Sequence, residues 1–462
     1  MQRFFQCRVV SLALLTLTLT ACAVGPDYQR PPVATAAAYK ELAGWTSAAP
    51  ADGIDRGDWW SLFNDPVLGA LMQQVAISNN NVAVASAAYE QARALVREQR
   101  AGLFPVVSLN GSARRSGGDA TLSPGNNFQA SVGATWEPDV WGRLGRAVDG
   151  ADASAAASAA DLASALLSAR GELAVDYFSL RQTDRQRALL QATIDAYQRT
   201  LTITKNRYDA GIAPKTDLLQ AQTQLANAQV DAAGLVRTRA QFEHAIAVLV
   251  GQTPSDFVLA KSDLAVIVPE IPAGVPSTLL QRRPDIAAAE RRVAAANQQI
   301  GIAQSAYYPA LNLSASYGGN ARRVADLFSA SNSLWSLGLS AVEVLFNAGA
   351  TKARVAGAES AQDQAAARYR QIVLVAFQSV EDQLSATEIL RQQQQLREQA
   401  SRSADEVEAQ VLNRYRAGQV SFTDVVTAQV TALTARRALV QNVSDRQVTA
   451  VALIQALGGG WK

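Results

Sequence analysis

The longest pattern in the chain is a seam of apolar residues. Leu162, Leu166, Leu173, Tyr177, Leu180, Leu190, Ile194, Tyr197, Leu201 and Tyr208 follow one another at steps of three, four or seven, with one longer interval. That is the near-heptad period of supercoiled helices, so residues 147–208 predict a helix on the order of 90 Å long. Tyr369, Val373, Val380, Leu384, Val407 and Val411 predict a second such helix. Small residues such as Ala153-Ser154-Ala155-Ala156-Ala157 lie between the seam positions and let helix axes approach closely. Each rod ends at a glycine turn, Gly211 or Gly418, and an antiparallel partner follows, which gives two long helical hairpins. Shorter helices are predicted over residues 65–101 and 284–306, each stopped by a proline a few residues on. Alternating stretches at 106–112, 129–136, 311–317 and 335–342 predict four strands, joined in pairs by polar, glycine-bearing loops at 113–127 and 318–334. The alternation is weak where Ser131, Gly133 and Ala134 replace large side chains.

The elements recur because the sequence does. Arg207-Tyr208-Asp209-Ala210-Gly211, with Thr216-Asp217-Leu218-Leu219 after it, returns as Arg414-Tyr415-Arg416-Ala417-Gly418 with Thr423-Asp424-Val425-Val426. Leu103-Phe104-Pro105 is echoed by Tyr307-Tyr308-Pro309. A repeat of roughly 200 residues is too long for a solenoid period and indicates a duplicated domain. The expected layout is a signal segment at 1–21, an extended strap at 22–64, a first repeat at 65–260, a linker at 261–283 and a second repeat at 284–462. The fold class is mainly α with a small β part.

Four strands cannot close a membrane barrel, since the smallest need about eight. Two arrangements stay open. Several chains could share one barrel in a cyclic oligomer, their hairpins closing into a tube, or a soluble sheet could cap a coiled coil. No segment after the N-terminus offers the roughly 18 consecutive apolar residues of a transmembrane helix, so any crossing of a bilayer would use a closed barrel.

Composition narrows the chemistry. With 42 basic and 40 acidic residues the net charge is +2, which provides no field for a nucleic acid. One histidine and two cysteines exclude a Cys/His zinc site and a disulfide framework. There is no phosphate-binding loop, nucleophile elbow or metal-ligand cluster, so an enzyme is not expected. Arg3 and Arg8 followed by an apolar run read as a secretory signal, and Leu19-Thr20-Ala21-Cys22 resembles a bacterial lipobox. Cys22 would then carry an S-diacylglycerol and an N-acyl chain, a stable anchor and the only covalent group expected. Ala23, in place of the aspartate that retains many lipoproteins at the inner membrane, implies outer-membrane sorting.

The segments Cys22-Ala23-Val24-Gly25-Pro26-Asp27-Tyr28, Trp59-Trp60-Ser61-Leu62-Phe63-Asn64-Asp65-Pro66, Arg282-Arg283-Pro284-Asp285-Ile286 and Ile300-Gly301-Ile302-Ala303 now take on meaning. Together with the duplicated Arg-Tyr-x-Ala-Gly turns, they resemble the TolC-like outer-membrane efflux factors, in the lipoprotein branch that serves RND-type pumps. The resemblance implies a homotrimer with a 12-strand outer-membrane barrel and an α-helical tunnel across the periplasm. It implies a periplasmic membrane-fusion adaptor and an inner-membrane RND-type transporter as partners, with small molecules as cargo. It places the turns at the periplasmic tip, with Arg207, Tyr208, Gly211, Arg414 and Gly418 as the adaptor-docking positions. Asp424 would line the constriction there, and Asp217 and Tyr415 would hold it closed. Helix capping is the alternative role for both aspartates. Thr427 and Val420 depart from the pattern, standing where some members place a second acid and a gating arginine. A duct for type I protein secretion and a periplasmic adaptor are the rival readings. For Arg282-Arg283-Pro284-Asp285, Trp59-Trp60 and His244, structural roles are expected.

Overall fold

The computed structural model describes residues 23–32, 57–117, 125–261, 267–269 and 283–459. The signal segment, Cys22 and most of the linker at 261–283 lie outside them. The helices are α1 (Pro66–Ser78), α2 (Asn80–Ala101), α3 (Arg143–Asp209), α4 (Lys215–Leu249), α5 (Pro284–Ser305), α6 (Ala350–Arg416) and α7 (Phe422–Ala456). The strands are β1 (Val106–Ser116), β2 (Gly125–Trp136), β3 (Ala310–Ala321) and β4 (Ser333–Val342). Duplication is visible in the lengths. α3 and α6 each have 67 residues, and α4 and α7 each have 35. A constant offset places Arg207 on Arg414 and Lys215 on Phe422.

The chain forms two compact units. The first comprises Met1–Pro32, Ala88–Ala159 and Ala288–Arg370. Its antiparallel sheet runs in the order β1-β2-β3-β4, so β1 and β4 are open edges. Beside the sheet, the N-terminal strap crosses α3, α5 and α6. Arg146 donates to the carbonyls of Gly25 (3.0 Å) and Pro26 (3.2 Å), and Asn297 donates to Pro26 as well (3.0 Å). The Tyr28 hydroxyl donates to Glu290 at 2.6 Å, and Arg30 donates to the Tyr369 hydroxyl at 3.1 Å. Gly25, at φ +112°, lies so close to Gly301 that a side chain on either would collide with backbone.

The second unit comprises Val33–Ala87, Ala160–Ala287 and Gln371–Lys462. Its core gathers Trp59, Trp60 and Phe63 with Leu68, Met72, Leu173, Tyr177, Leu180, Ile246, Val451 and Ile454. The tryptophan pair packs against the helices, as expected, with the Arg170 guanidinium 4.6 Å from the Trp60 ring centroid. Arg283 holds Asp285 through two hydrogen bonds and donates to the Ala456 carbonyl at 2.9 Å, which is the expected structural role at a helix terminus.

Several expectations change. The first helix is two helices, because Asn79 leaves the helical region (φ −71°, ψ 121°). Its side chain accepts from the Asn81 and Val82 amides and donates to the Leu249 carbonyl, so it ends α1, starts α2 and ties both to α4. The strands extend beyond the alternating stretches into the predicted loops, since ladder hydrogen bonds involve backbone and do not require apolar side chains. Tyr208 and Val407 belong to the heptad seams, yet both are exposed in the protomer. His244 is also exposed, on α4.

Candidate functional site: a two-faced sheet and the hairpin turns

Cross-strand register decides what the sheet can do. Leu109 pairs with Val132, Val132 with Tyr317, and Tyr317 with Trp335, which gives one apolar row across all four strands. The next row on that face is Val107, Ala134, Ala315 and Leu337. Ser108, Gly133, Ser316 and Ser336 form a row on the opposite face, where the last two hydroxyls are 2.8 Å apart. The apolar face is uncovered: Leu109 is 79% exposed and Trp335 78%. A sheet with one bare apolar face and one small polar face is suited to lipid on one side and water on the other. The weak alternation of single strands concealed this. Ser131 and Gly133 belong to the polar face, and only pairing lines up the large residues of different strands on the other. Among the described residues no helix is long and apolar enough to cross a membrane.

The hairpin turns are built alike. Gly211 (φ +73°) donates to Tyr208 O and Ile212 to Arg207 O; Gly418 (φ +76°) donates to Tyr415 O and Gln419 to Arg414 O. Both are Schellman caps, which require the left-handed region that glycine enters without strain. Around them the two hairpins meet. Arg207, from α3, donates to the carbonyls of Tyr415 (2.7 Å) and Arg416 (3.4 Å) at the end of α6, and its guanidinium lies 4.7 Å from the Tyr415 ring centroid. A cation there faces the negative end of the α6 dipole as well as an aromatic face. Tyr415 is only 2% exposed, leans on Phe422 at 5.5 Å and places its hydroxyl 3.5 Å from that of Thr204. One turn further along, buried Gln429 donates to Thr200 and accepts from Gln224, both at 3.3 Å.

The two aspartates differ. Asp424 and Ser421 form a reciprocal capping box at the start of α7, with the Ser421 amide 3.0 Å from the carboxylate. Asp217 occupies the matching position of α4, but the residue before that helix is Pro214, which has neither a backbone N–H nor a side-chain donor to offer it. The capping expected of Asp217 is therefore missing, and its half-buried carboxylate has no hydrogen bond within the protomer, to Tyr415 or to any other described residue. Of the expected docking positions, Tyr208, Gly211, Arg414 and Gly418 are exposed, whereas Arg207 is engaged with the second hairpin. Val420 packs beside Tyr415 and Phe422, and Thr427 bonds its own helix at Thr423 O. Sequence reading missed the role of Arg207 and the polar ties at Thr200 and Thr204. Their signal was present: residues 200, 204 and 207 are polar and, at steps of four and three, share one helix face.

Comparison with known proteins defines the class. The Outer membrane efflux protein family matches residues 71–252 and 275–459. Among curated relatives, the probable efflux pump outer membrane protein TtgC of Pseudomonas putida is 30% identical, the match spanning 98% of this chain and 96% of that protein. The solved outer-membrane channel OprN superposes with a TM-score of 0.88 at 31% identity, over 95% of this chain and all of that one. The open-state MtrE outer membrane channel of Neisseria gonorrhoeae gives 0.85 at 27% identity, over 96% and 99%. The chain belongs to the outer membrane efflux protein family, and it is an outer-membrane efflux component. The rival reading of a type I secretion duct gains no support from these relatives.

Proposed function

We propose that three copies of this chain close a 12-strand barrel in the outer membrane and a helical tunnel beneath it, forming a passive exit duct for small molecules. A periplasmic adaptor and an RND-type inner-membrane transporter supply the cargo, and the duct itself catalyses nothing. The supporting observation is the sheet, which has two open edges and a bare apolar face that only neighbouring copies and lipid can satisfy. Cys22 carries the lipid anchor. The hairpin turns form the gate, with Tyr415 as its buried fastening and Asp217 and Asp424 on the helices that follow, and the exposed turn backbone at Gly211 and Gly418 receives the adaptor.

Planar bilayers test this reading. The wild-type trimer should conduct weakly and Tyr415→Ala several-fold more, because the substitution removes the ring that Arg207, Phe422 and Thr204 hold. A stable trimer that stays silent in both forms defeats the channel reading.

A further inference from the structure

Duplication supplies the fastening at the hairpin turns twice, and one protomer uses it once. On α3, Thr200, Thr204 and Arg207 face the second hairpin, and both threonines are buried there. The constant offset makes Val407, Val411 and Arg414 their counterparts on α6. Val407 and Arg414 are exposed, and the Arg414 guanidinium has no hydrogen bond or ion pair with the described residues of its own protomer. The receiving side is doubled as well. Tyr415 takes the Arg207 guanidinium over its ring and is buried, whereas its counterpart Tyr208 is 37% exposed and no cation of the described residues lies over its ring. One protomer thus leaves an unused guanidinium on its second hairpin and, on its first, an uncovered ring beside a carbonyl with a lone pair to spare.

We propose that Arg414 fastens the tip to a second copy of this chain, donating to the carbonyls of Tyr208 and Asp209 in the neighbouring copy and lying over that Tyr208 ring. The inference rests on the trimeric reading. The acceptors are chemically equivalent to those already filled. The Tyr208 carbonyl accepts the Gly211 amide as Tyr415 accepts that of Gly418, and each oxygen keeps a second lone pair. Both helix ends carry the same dipole. Arg207 links within chains then alternate with Arg414 links between chains around a ring of six hairpins. The two links are unequal. Phe422, which supports Tyr415, corresponds to Lys215, and Thr204, which meets the Tyr415 hydroxyl, corresponds to Val411. The link between copies has no aromatic floor and no hydroxyl pair, so the ring parts there first.

Paired cysteines test the assignment in the full-length protein. Arg414→Cys with Asp209→Cys, treated with a short thiol crosslinker, should yield covalent dimers and trimers on denaturing gels, while each single variant stays at protomer size. Arg207→Cys with Arg416→Cys should link within one chain, read by mass spectrometry of the digest, and serves as the geometric control. Native mass measurement of the same variants reports assembly independently. A trimer in which the control pair links but the Arg414 pair does not, or links within its own chain, overturns the proposal and leaves the trimer standing. A protein that never assembles overturns both.

Discussion

Asp424 shows how one side chain can serve two purposes. Its carboxylate closes a capping box with Ser421, yet it is exposed on the helix leading from the turn. Charge and capping can be separated chemically. Asp424→Asn keeps an acceptor for the Ser421 donors and removes the charge, whereas Asp424→Ala removes both and should cost about 0.3–1 kcal/mol of stability. If the carboxylate ring sets selectivity, reversal potentials in a salt gradient should shift away from cation preference equally in both variants, and only the alanine should unfold earlier. Unchanged reversal potentials would assign Asp424 to capping alone. Arg207 was legible as a conserved type within the internal repeat, but its partners were not, because two carbonyls and a ring come from residues more than 200 positions away. Sequence periodicity reports which face a residue occupies and not what meets that face.

At the scale of elements, the strap depends on an unusually close approach. Gly301 lets the Val24–Pro26 backbone and the Arg146 side chain lie directly on α5, and a methyl group there would fall inside the Arg146 side chain and 2.7 Å from the Val24 carbonyl. Gly301→Ala should therefore release the strap while leaving the α5 helix intact, since alanine is the better helix former. Limited proteolysis should then cut near residues 23–32 faster than in the wild type, with near-unchanged circular dichroism. Equal cleavage rates would mean that the strap is held by its polar ties alone. The long helices were readable from their heptad seams, since that period is local to one chain segment. The break at Asn79 was not, because its local capping of Asn81 and Val82 competes with an unbroken helical pattern, and the bond to Leu249 that fixes the side chain comes from far along the sequence.

For the whole molecule, the sheet's faces make the membrane reading testable. Leu337 belongs to the apolar face and Ser336 to the polar one, though they are neighbours in sequence. Leu337→Arg should destabilise the inserted assembly by about 2–4 kcal/mol if it lies near mid-bilayer, whereas Ser336→Arg should leave insertion intact and alter conductance. Heat-modifiable mobility of the trimer and bilayer recordings read the two effects, and equal damage from both would count against the face assignment. The long helices, strand number, turns and duplication were determined by the sequence itself, because each is encoded in spacing and in residues that act within a few positions of one another. The tertiary structure alone decided which strand faces align, which donor meets which carbonyl, and which equivalent groups remain unpaired. Those outcomes depend on register and on contacts between distant segments, where backbone hydrogen bonds and burial are satisfied collectively and no single stretch of sequence carries the answer.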